Sequence, residues 1–332
     1  MMTERENMLM VFNHQIPQWV PNYGKASQFY FGFGCDRTQN PKTGLFYDRF
    51  GVEFSLEGGP LGGYMPTNTK TRNFELTDIT NWKSVMPGID LGTVDWEEET
   101  KRMAGNDVRL FYGTESSSFV SNYIVGYLWD ELHYMMGFEN ALYSVAAEPE
   151  ATSDFLNAMA DFYIDCMLEQ FKYWKPDIAM TMDHVATKLG LLMSPDSYRK
   201  VIKPAQAKIY SVLKDQGIIV ETHVDGKVDD IIPDYAEIGV EVIQPLQVYN
   251  DIEKAKKDYH MVCIGGWDAF GPGNADGASE EEVRASVRKA MDAYAPTGSY
   301  AIWFSGASAV SEEKMFWLND EAEKYGHTFY GK

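Results

Sequence analysis

The chain has 332 residues, of which 45% are hydrophobic, so its length and composition are sufficient for one large α/β domain. Its formal net charge is -20. Nucleic acids and anionic membrane surfaces both attract basic proteins, so neither is expected as a partner.

The apolar runs, the charged start and the cysteines of the sequence indicate a cytoplasmic protein. No apolar run approaches the roughly 20 residues that a membrane-spanning helix needs. The charged start, residues 1–6, lacks the apolar region of a signal peptide. Cys35, Cys166 and Cys263 are odd in number and far apart, so we expect free thiols in a reducing compartment.

The first part of the chain is predicted to form a helix and then a long irregular segment. Thr3 is expected to cap a helix that ends near Phe12, with Glu6 completing a capping box. Residues 24–95 are rich in Gly, Pro, Asn, Thr and aromatic residues, as in a functional loop region or a cap. The aromatic run 29–33 is expected to pack as part of that cap, to line an aryl-binding pocket, or to do both.

From residue 96 onwards, helices and strands alternate. A short acidic helix at 96–105 precedes a strand at 108–112, and a long helical region is predicted at 121–174. Strands are then predicted at 177–182, 217–224, 241–245, 261–264 and 299–304, and the helices between and after them at 195–216, 228–238, 252–258, 279–294 and 311–325.

Short apolar strands separated by helices indicate βαβ units and a parallel sheet. At least six such units favour a closed barrel, and no glycine-rich nucleotide-binding loop follows any strand. We therefore predict an α/β protein with a single (β/α)8 TIM barrel and an N-terminal loop-rich elaboration. Residues 1–95 would form the first helix and the cap, and residues 96–332 the main barrel.

The active site of such a barrel lies at the C-terminal ends of its strands. The polar or aromatic residues that the prediction brings to these ends are Asp183, His184, Glu221, His223, Asp225, Gln244, Trp267, Asp268 and Ser305, with Tyr112 and Glu115 after an earlier strand.

The segment 217–226 carries the strongest signal. Glu221, His223 and Asp225 alternate with apolar or small residues, so a continuing strand would put all three on one face. Buried titratable groups are costly unless something binds them. Imidazole and carboxylate groups are ordinary Zn²⁺ ligands, so a metal site or an acid–base pair is one interpretation. A hydrogen-bonded pair that fixes a loop is the other. The pair Asp183 and His184 either serves the site or caps the next helix.

A series of stretches in chain order forms a recognisable pattern. They are residues 3–21, which include Asn13, His14, Pro17 and Pro21; residues 48–54; residues 132–142 with 148–150; residues 183–195; and residues 265–268. Together they resemble the uroporphyrinogen decarboxylase superfamily, with its Asn-His-x-x-Pro-Asp-Arg-Val-Pro opening, its Phe-Gly-Val-Glu-Trp stretch and its Gly-Gly-x-Asp strand end. The resemblance covers nearly the whole chain and implies a TIM barrel that acts either as a tetrapyrrole decarboxylase or as a corrinoid-dependent methyltransferase.

The chain departs from the decarboxylases at its N-terminus. They carry an Arg-Gln-Ala-Gly-Arg run that grips the substrate's carboxylates, whereas residues 20–26 of this chain hold Lys25 and no arginine. A substrate with many carboxylates needs several cations in its pocket, which an acidic chain is poorly suited to supply.

The methyltransferase branch is more similar. Its His-x-Cys-Gly motif, which binds Zn²⁺ together with a later Cys-Gly, falls on His223-Val224-Asp225-Gly226, and the later pair falls on Ser305-Gly306. The resemblance therefore implies a zinc site of His223 and Asp225, with Glu221 and Ser305 as further candidate ligands. Without the two thiolates the site is harder, which suits an ether or hydroxyl oxygen better than a thiol. If no metal binds, His223 or Asp183 is expected to act as a general acid.

We therefore expect a methyltransferase that moves a methyl group from a small methoxylated, aromatic substrate to the cobalt of a separate corrinoid protein. His223, Asp183 and Asp225 would be catalytic. The substrate-binding residues would be His184, Gln244, Trp267, Asp268 and Tyr112. Two alternatives stay open at this point: a decarboxylase of a tetrapyrrole or another carboxylated substrate, and a non-catalytic binding barrel.

Overall fold

The computed structural model describes residues 2–57, 63–67, 76–105, 118–304 and 310–331. Its centre is a seven-stranded parallel sheet in which the strands are neighbours in chain order. The strands are β1 (Ser27–Phe31), β2 (Val120–Gly126), β3 (Ile178–Met182), β4 (Ile219–His223), β5 (Val242–Leu246), β6 (Val262–Gly266) and β7 (Tyr300–Trp303).

The sheet curls back towards its own first strand. Just before β1, Asn22 forms a parallel bridge with Ile302 of β7, and the backbone N–H of Ile302 donates a hydrogen bond of 3.0 Å to the carbonyl of Pro21. The prediction of an α/β fold is thus confirmed, and the curled parallel sheet is consistent with a barrel of the TIM type. Among the described residues the sheet has seven strands and not the eight of the predicted barrel. Strands β3 to β7 agree with predicted strands, and the strand predicted at 108–112 lies outside the described residues.

Helices connect the strands. They span Glu4–Phe12, Tyr23–Ala26, Trp82–Val85, Trp96–Ala104, Trp129–Met136, Phe138–Ala147, Pro149–Gln170, Pro195–Val201, Lys203–Asp215, Ile232–Glu237, Ile252–Tyr259, Glu280–Tyr294 and Glu312–Phe329. The long helices Pro149–Gln170 and Lys203–Asp215 pack against each other, as do Glu280–Tyr294 and Glu312–Phe329. No helix among the described residues is long and apolar enough to cross a membrane.

The first helix closes the N-terminal end of the barrel. The predicted capping box is present, because the Thr3 hydroxyl accepts a hydrogen bond of 3.1 Å from the Glu6 N–H, and Glu6 accepts one of 2.7 Å from the Thr3 N–H. Met8 and Val11 are fully buried and pack with residues near the starts of the strands, such as Val120 and Val242. The opposite end of the barrel is therefore the end that is free to hold a site.

The helical region predicted at 121–174 is wrong at its start. Residues Val120–Gly126 form β2, and all of their side chains are buried. A short apolar run that is buried on both faces has no alternating pattern, so sequence periodicity alone cannot distinguish it from a buried helix. Helical structure begins only at Trp129.

The segment predicted as a cap contains both a small sheet and part of the barrel. Its antiparallel strands are Thr38–Gln39, Phe46–Tyr47, Glu53–Glu57 and Gly63–Pro66. Strand β1 also lies before residue 96 and pairs with β2, so the main sheet includes part of this segment. The domain boundary at residue 95 stays a prediction.

Candidate active site

A cavity of about 1280 Å³ opens at the C-terminal ends of the strands. Its wall includes residues that follow or end the strands β3, β4 and β7, and residues of the helices Trp129–Met136 and Glu312–Phe329. This position agrees with the location of active sites in barrels of this type.

His184, His223 and Asp225 form a group on the cavity wall that could hold a metal ion. Their nearest ligand atoms lie within 4.8 Å of one another. Asp225 Oδ2 is 3.3 Å from His184 Nε2 and 3.6 Å from His223 Nε2. Zinc ligands about 2.1 Å from the metal in a tetrahedron would be about 3.4 Å apart, which is close to both distances from Asp225 and compatible with a group within 4.8 Å. The other ring nitrogen of His223, Nδ1, is buried without a hydrogen-bond partner.

Asp130 orients His184 from behind. The fully buried Asp130 carboxylate contacts His184 Nδ1 through one oxygen and accepts a hydrogen bond of 3.0 Å from the His184 backbone N–H through the other. The ring of His184 therefore presents Nε2 to the cavity. A carboxylate that holds the second nitrogen of a metal-binding histidine is a common feature of zinc sites.

The electrostatics of the group favour ionised carboxylates. Burial alone would raise the pKa of Asp225, but hydrogen bonds from His184 and His223 outweigh it and hold that pKa well below its usual range. For Asp130 burial is likewise outweighed by His184 and His133, which lower its pKa. Burial alone would lower the pKa of His184, but Asp130 and Asp225 outweigh it and raise that pKa well above its usual value. A metal ion bound by this group would take the place of the proton on the His184 ring.

The turn after β4 positions Asp225. Gln247 donates a hydrogen bond of 2.7 Å to Asp225 Oδ1 and accepts one of 2.7 Å from the backbone N–H of Gly226. Gly226 has a φ of +111°, and a Cβ atom there would lie 2.6 Å from the Cβ of Ala186. Only glycine allows the turn to pass so close to the segment that carries His184.

Asp183 is fully buried and does not line the cavity. Its Oδ1 accepts hydrogen bonds from the backbone N–H groups of Leu128 (2.8 Å) and Trp129 (2.7 Å), and its Oδ2 accepts one of 2.9 Å from Gln206. Burial and the nearby Asp130 raise the pKa of Asp183 to about 7. These contacts give Asp183 a positioning role, because they hold the start of the helix that carries Asp130.

Glu221 and Gln244 lie below the cavity, in the barrel interior. Glu221 is fully buried and accepts hydrogen bonds from the Tyr23 hydroxyl (2.6 Å) and Asn122 (3.1 Å). Burial raises its pKa to about 7. Gln244 is also fully buried and contacts the Met180 sulfur at 3.2 Å. Neither residue belongs to the group that could hold a metal.

The other predicted site residues are not brought to the cavity by the described structure. Trp267 is buried, donates a hydrogen bond of 2.9 Å to Ser286 and packs on Phe304. Asp268 is exposed and accepts a hydrogen bond from the Phe270 N–H at 3.1 Å in its own turn. Tyr112, Glu115 and Ser305 lie outside the described residues.

Sequence reasoning missed residues on the cavity wall, among them Asp130, Arg37, Tyr127 and Trp303. Asp130 follows β2 by a few residues, but the strand that would have marked it was predicted as helix. Arg37 lies in the irregular segment, where no periodicity indicates which side chains face the site. The position of Trp303 at the end of β7 was the available signal for that residue.

These features define a class of protein: an α/β barrel whose strand ends carry a candidate metal centre inside a deep cavity. Residues 126–306 match the family model described as Uroporphyrinogen decarboxylase (URO-D), which covers more than half of the chain. The chain belongs to the uroporphyrinogen decarboxylase family, as its motifs predicted.

Solved structures show the same fold at low sequence identity. A methyltransferase from Methanosarcina mazei superposes with a TM-score of 0.62 at 12% identity, over 98% of this chain and 99% of that one. A B12-independent methionine synthase from Shewanella sp. W3-18-1, in complex with selenomethionine, gives 0.48 at 9% identity, over 84% of this chain and 74% of that one. The first of these similarities establishes the fold, and the second is too weak to support an argument. No curated protein sequence matches the chain significantly.

Proposed function

We propose that this protein is a methyltransferase that moves a methyl group from a small methoxylated aromatic substrate to the cobalt of a partner corrinoid protein. The observation that carries the proposal is the group of His184, His223 and Asp225, whose ligand atoms lie within 4.8 Å of one another on the wall of a cavity at the strand ends. The family and the fold shared with the Methanosarcina mazei methyltransferase support it.

The residues present suit zinc, with a ligand set that differs from the one expected from sequence. His184 takes the place that Glu221 was expected to fill, and Asp225 supplies an oxygen ligand where the related methyltransferases carry a thiolate. A zinc ion held by these residues would supply Lewis acidity towards the ether oxygen of the substrate. Asp130 and Gln247 would hold His184 and Asp225 in the binding geometry.

The transfer itself is a displacement at carbon. The methyl carbon leaves the ether oxygen, which keeps the electron pair of the broken bond, and the new bond to cobalt uses the electron pair of Co(I). The released phenolate then takes a proton from water. The site must therefore stabilise negative charge on oxygen and hold the methyl group towards the cavity mouth.

Aromatic side chains on the cavity wall suit an aryl substrate. Tyr127, Tyr134 and Trp303 line the cavity together with Phe31, and the Trp303 ring lies 6.2 Å from the ring of His223. Flat apolar walls beside a few polar groups are typical of sites for small aromatic ligands. An aryl methyl ether could thus lie against these rings with its oxygen near the metal-binding group.

The cavity mouth offers apolar surface to a partner. Phe31, Met65 and Phe316 line the cavity and are 43%, 50% and 65% exposed. Exposed apolar groups clustered around a site are typical of docking surfaces, and the corrinoid must reach the methyl group through this opening. Because its three cysteines are free, we also propose that the protein works in the reducing cytoplasm.

Decarboxylation of a tetrapyrrole is less well supported. Such a substrate carries many carboxylates and needs several basic side chains around it. Lys25 and Arg37 are the lysine and arginine residues of the described cavity wall, and Lys25 is already paired with Glu323. This charge pattern favours a small substrate over a polyanionic macrocycle.

Methyl transfer to Co(I) tests the proposal directly. The zinc-loaded protein is mixed with a methoxylated benzene derivative and reduced cobalamin, or a reduced corrinoid protein, and the cobalt absorption spectrum is followed. We expect the Co(I) spectrum to be lost in step with release of the phenol. His223→Ala and Asp225→Ala should each lower the rate at least 100-fold, because each removes a ligand and weakens Lewis acid catalysis.

His260→Asn is the matched control. His260 lies at the end of the helix Ile252–Tyr259, away from the cavity, in a left-handed conformation that asparagine tolerates. Its rate should stay within about twofold of the wild type. Transfer that survives in both ligand variants, or no transfer from any methoxylated aromatic compound, would show that the proposal is wrong.

A further inference from the structure

Arg37 lies on the cavity wall inside a cage of aromatic rings. Its guanidinium carbon is 4.2 Å from the ring centroid of Phe54, 4.9 Å from that of Tyr64, 5.1 Å from that of Tyr127 and 5.8 Å from that of Tyr134. Rings of this kind stabilise a cation without neutralising it, and they hold its planar group in one orientation.

The guanidinium has no carboxylate partner among the described residues. No ion pair within 4.0 Å joins Arg37 to another described residue, its contact with the Tyr127 hydroxyl is long at 3.5 Å, and its Nε is buried with no hydrogen-bond partner in the described part of the chain. By contrast, Arg49 pairs with Asp36 at 2.7 Å and with Glu99 at 3.0 Å. The carboxylate next to Arg37 in sequence is therefore turned towards other arginines.

The nearby buried acids Asp48 and Glu131 form no direct ion pair with Arg37. Burial raises the pKa of Glu131 well above its usual value, and the neighbouring Asp48 raises it further. Burial also raises the pKa of Asp48. Two adjacent buried carboxyl groups favour retaining a proton between them, which leaves the pair with one negative charge and not two. Neither carboxyl lies within 4.0 Å of the Arg37 guanidinium nitrogens, so its N–H groups are not used by an ion pair with them.

Arg37 and the metal-binding group belong to one continuous wall. The Tyr134 ring, which contacts Arg37, lies 4.6 Å from the His133 ring, and His133 Nε2 is 3.4 Å from the Asp130 carboxylate that holds His184. A substrate could therefore present one polar group to Arg37 and another to the metal-binding residues, with its ring between the aromatic walls.

We propose that Arg37 binds a carboxylate of the substrate, so that the substrate is a methoxylated aromatic carboxylate. The methoxy part of this assignment rests on the proposed function, whereas the carboxylate part rests on Arg37 alone. A guanidinium donates two parallel hydrogen bonds to a carboxylate. Such a pair would fix the orientation of the substrate's ring and select for a negatively charged substrate. In a chain of net charge -20, a dedicated cation is also what allows an anion to enter the cavity.

Binding measurements separate this inference from the proposed function. The zinc-loaded wild type is titrated calorimetrically with ortho-, meta- and para-methoxybenzoate, with methoxybenzene and with a methoxyphenol. We expect at least one methoxybenzoate to bind at least tenfold more tightly than both neutral compounds. Arg37→Gln should weaken its binding at least tenfold and leave the neutral compounds within about twofold.

Two further variants keep the result interpretable. Arg37→Lys retains the charge but not the paired donors, so it should recover part of the lost affinity and also show that position 37 tolerates change. Lys25→Gln removes a cavity cation that already has a partner, and should alter methoxybenzoate binding less than threefold. Circular dichroism confirms that each variant is folded.

The possible outcomes are distinct. Methoxybenzoate binding that is equal in the wild type and in Arg37→Gln, or no preference for carboxylates in the wild type, would overturn the inference. If carboxylates bind through Arg37 but no methyl group reaches cobalt, the proposed function fails and the carboxylate assignment stands. Methyl transfer from neutral and carboxylated compounds at equal efficiency would support the proposed function and overturn the carboxylate assignment.

Discussion

At the scale of single residues, strand geometry explains why His184 and not Glu221 completes the candidate metal-binding group. Glu221 shares the face of β4 with His223, but two residues along a strand correspond to about 6.6 Å, which places its carboxylate one layer deeper. There it is already held by Tyr23 and Asn122. His184 follows the adjacent strand β3, so its ring reaches the same height as His223.

Substitution of Asp130 tests whether the carboxylate behind His184 contributes to metal binding. Asp130→Asn keeps the size of the side chain but removes the charge that orients His184. We expect zinc affinity to fall about 10- to 100-fold, as is typical when such a partner of a metal-binding histidine is lost. A competition titration against a chromogenic chelator measures the change.

Asp268→Asn is the control for that experiment, because Asp268 is an exposed carboxylate at a strand end outside the cavity. Its zinc affinity should equal that of the wild type. Equal affinities for Asp130→Asn and the wild type would mean that His184 does not ligate the metal.

At the scale of elements, the turn after β4 determines where Asp225 can stand. The chain leaves the strand at His223 and passes against Ala186 at Gly226, so Asp225 is directed by the turn and not by strand periodicity. The sequence predicted one shared face for the three alternating residues. In the structure His223 and Asp225 line the cavity together, whereas Glu221 is fully buried below it.

Gly226→Ala should damage both stability and metal binding. The added Cβ would meet Ala186 at 2.6 Å in a backbone conformation with φ of +111°. A strained conformation of this kind costs about 1–3 kcal/mol, and the steric contact adds to that cost. Urea unfolding monitored by circular dichroism measures the free energy of unfolding, and the chelator titration measures the loss of zinc affinity.

Gly44→Ala is the matched control, because Gly44 also has a positive φ, +74°, but a Cβ there would meet nothing within 4 Å. It should lose only the conformational part of the stability and no zinc affinity. If both alanine variants lost the same free energy of unfolding and kept the metal, the close approach at Gly226 would have no functional meaning.

At the scale of the whole molecule, the candidate metal-binding group joins parts of the chain that only the folded barrel brings together. His184 follows β3, His223 ends β4, and Asp130 begins a helix after β2. A ligand that binds only the assembled site stabilises the folded state by mass action, by about 2.7 kcal/mol at a free concentration 100 times its dissociation constant.

Zinc should therefore raise the temperature of unfolding of the metal-free protein by a few degrees at saturation. Differential scanning calorimetry with and without zinc measures the shift, and magnesium, which prefers octahedral oxygen ligands, should give none. His223→Ala should abolish the zinc effect. An equal shift in that variant would show that zinc stabilises the protein from another place.

Much of the architecture could be predicted from the sequence. The strands β3 to β7 are short apolar runs separated by helices with clear caps. Local patterns of this kind predict strands well, because each strand is buried by its neighbours. Strand β2 could not be recognised, because a run buried on both faces has no alternating pattern. For the same reason Asp130 could not be assigned to the end of a strand. The involvement of the segment before residue 96 in the main sheet also escaped prediction, because β1 is short and lies among irregular loops.

The sequence by itself determined the family, the type of barrel and the presence of His223 and Asp225 beside each other near the end of a strand. These are properties of local pattern and of motif order. Only the tertiary structure decided which side chain joins them, that Asp183 faces the protein interior, and that Arg37 lies in an aromatic cage without an ion pair to any described residue. Such facts depend on depth, direction and distance between segments far apart in the chain, which no local pattern encodes.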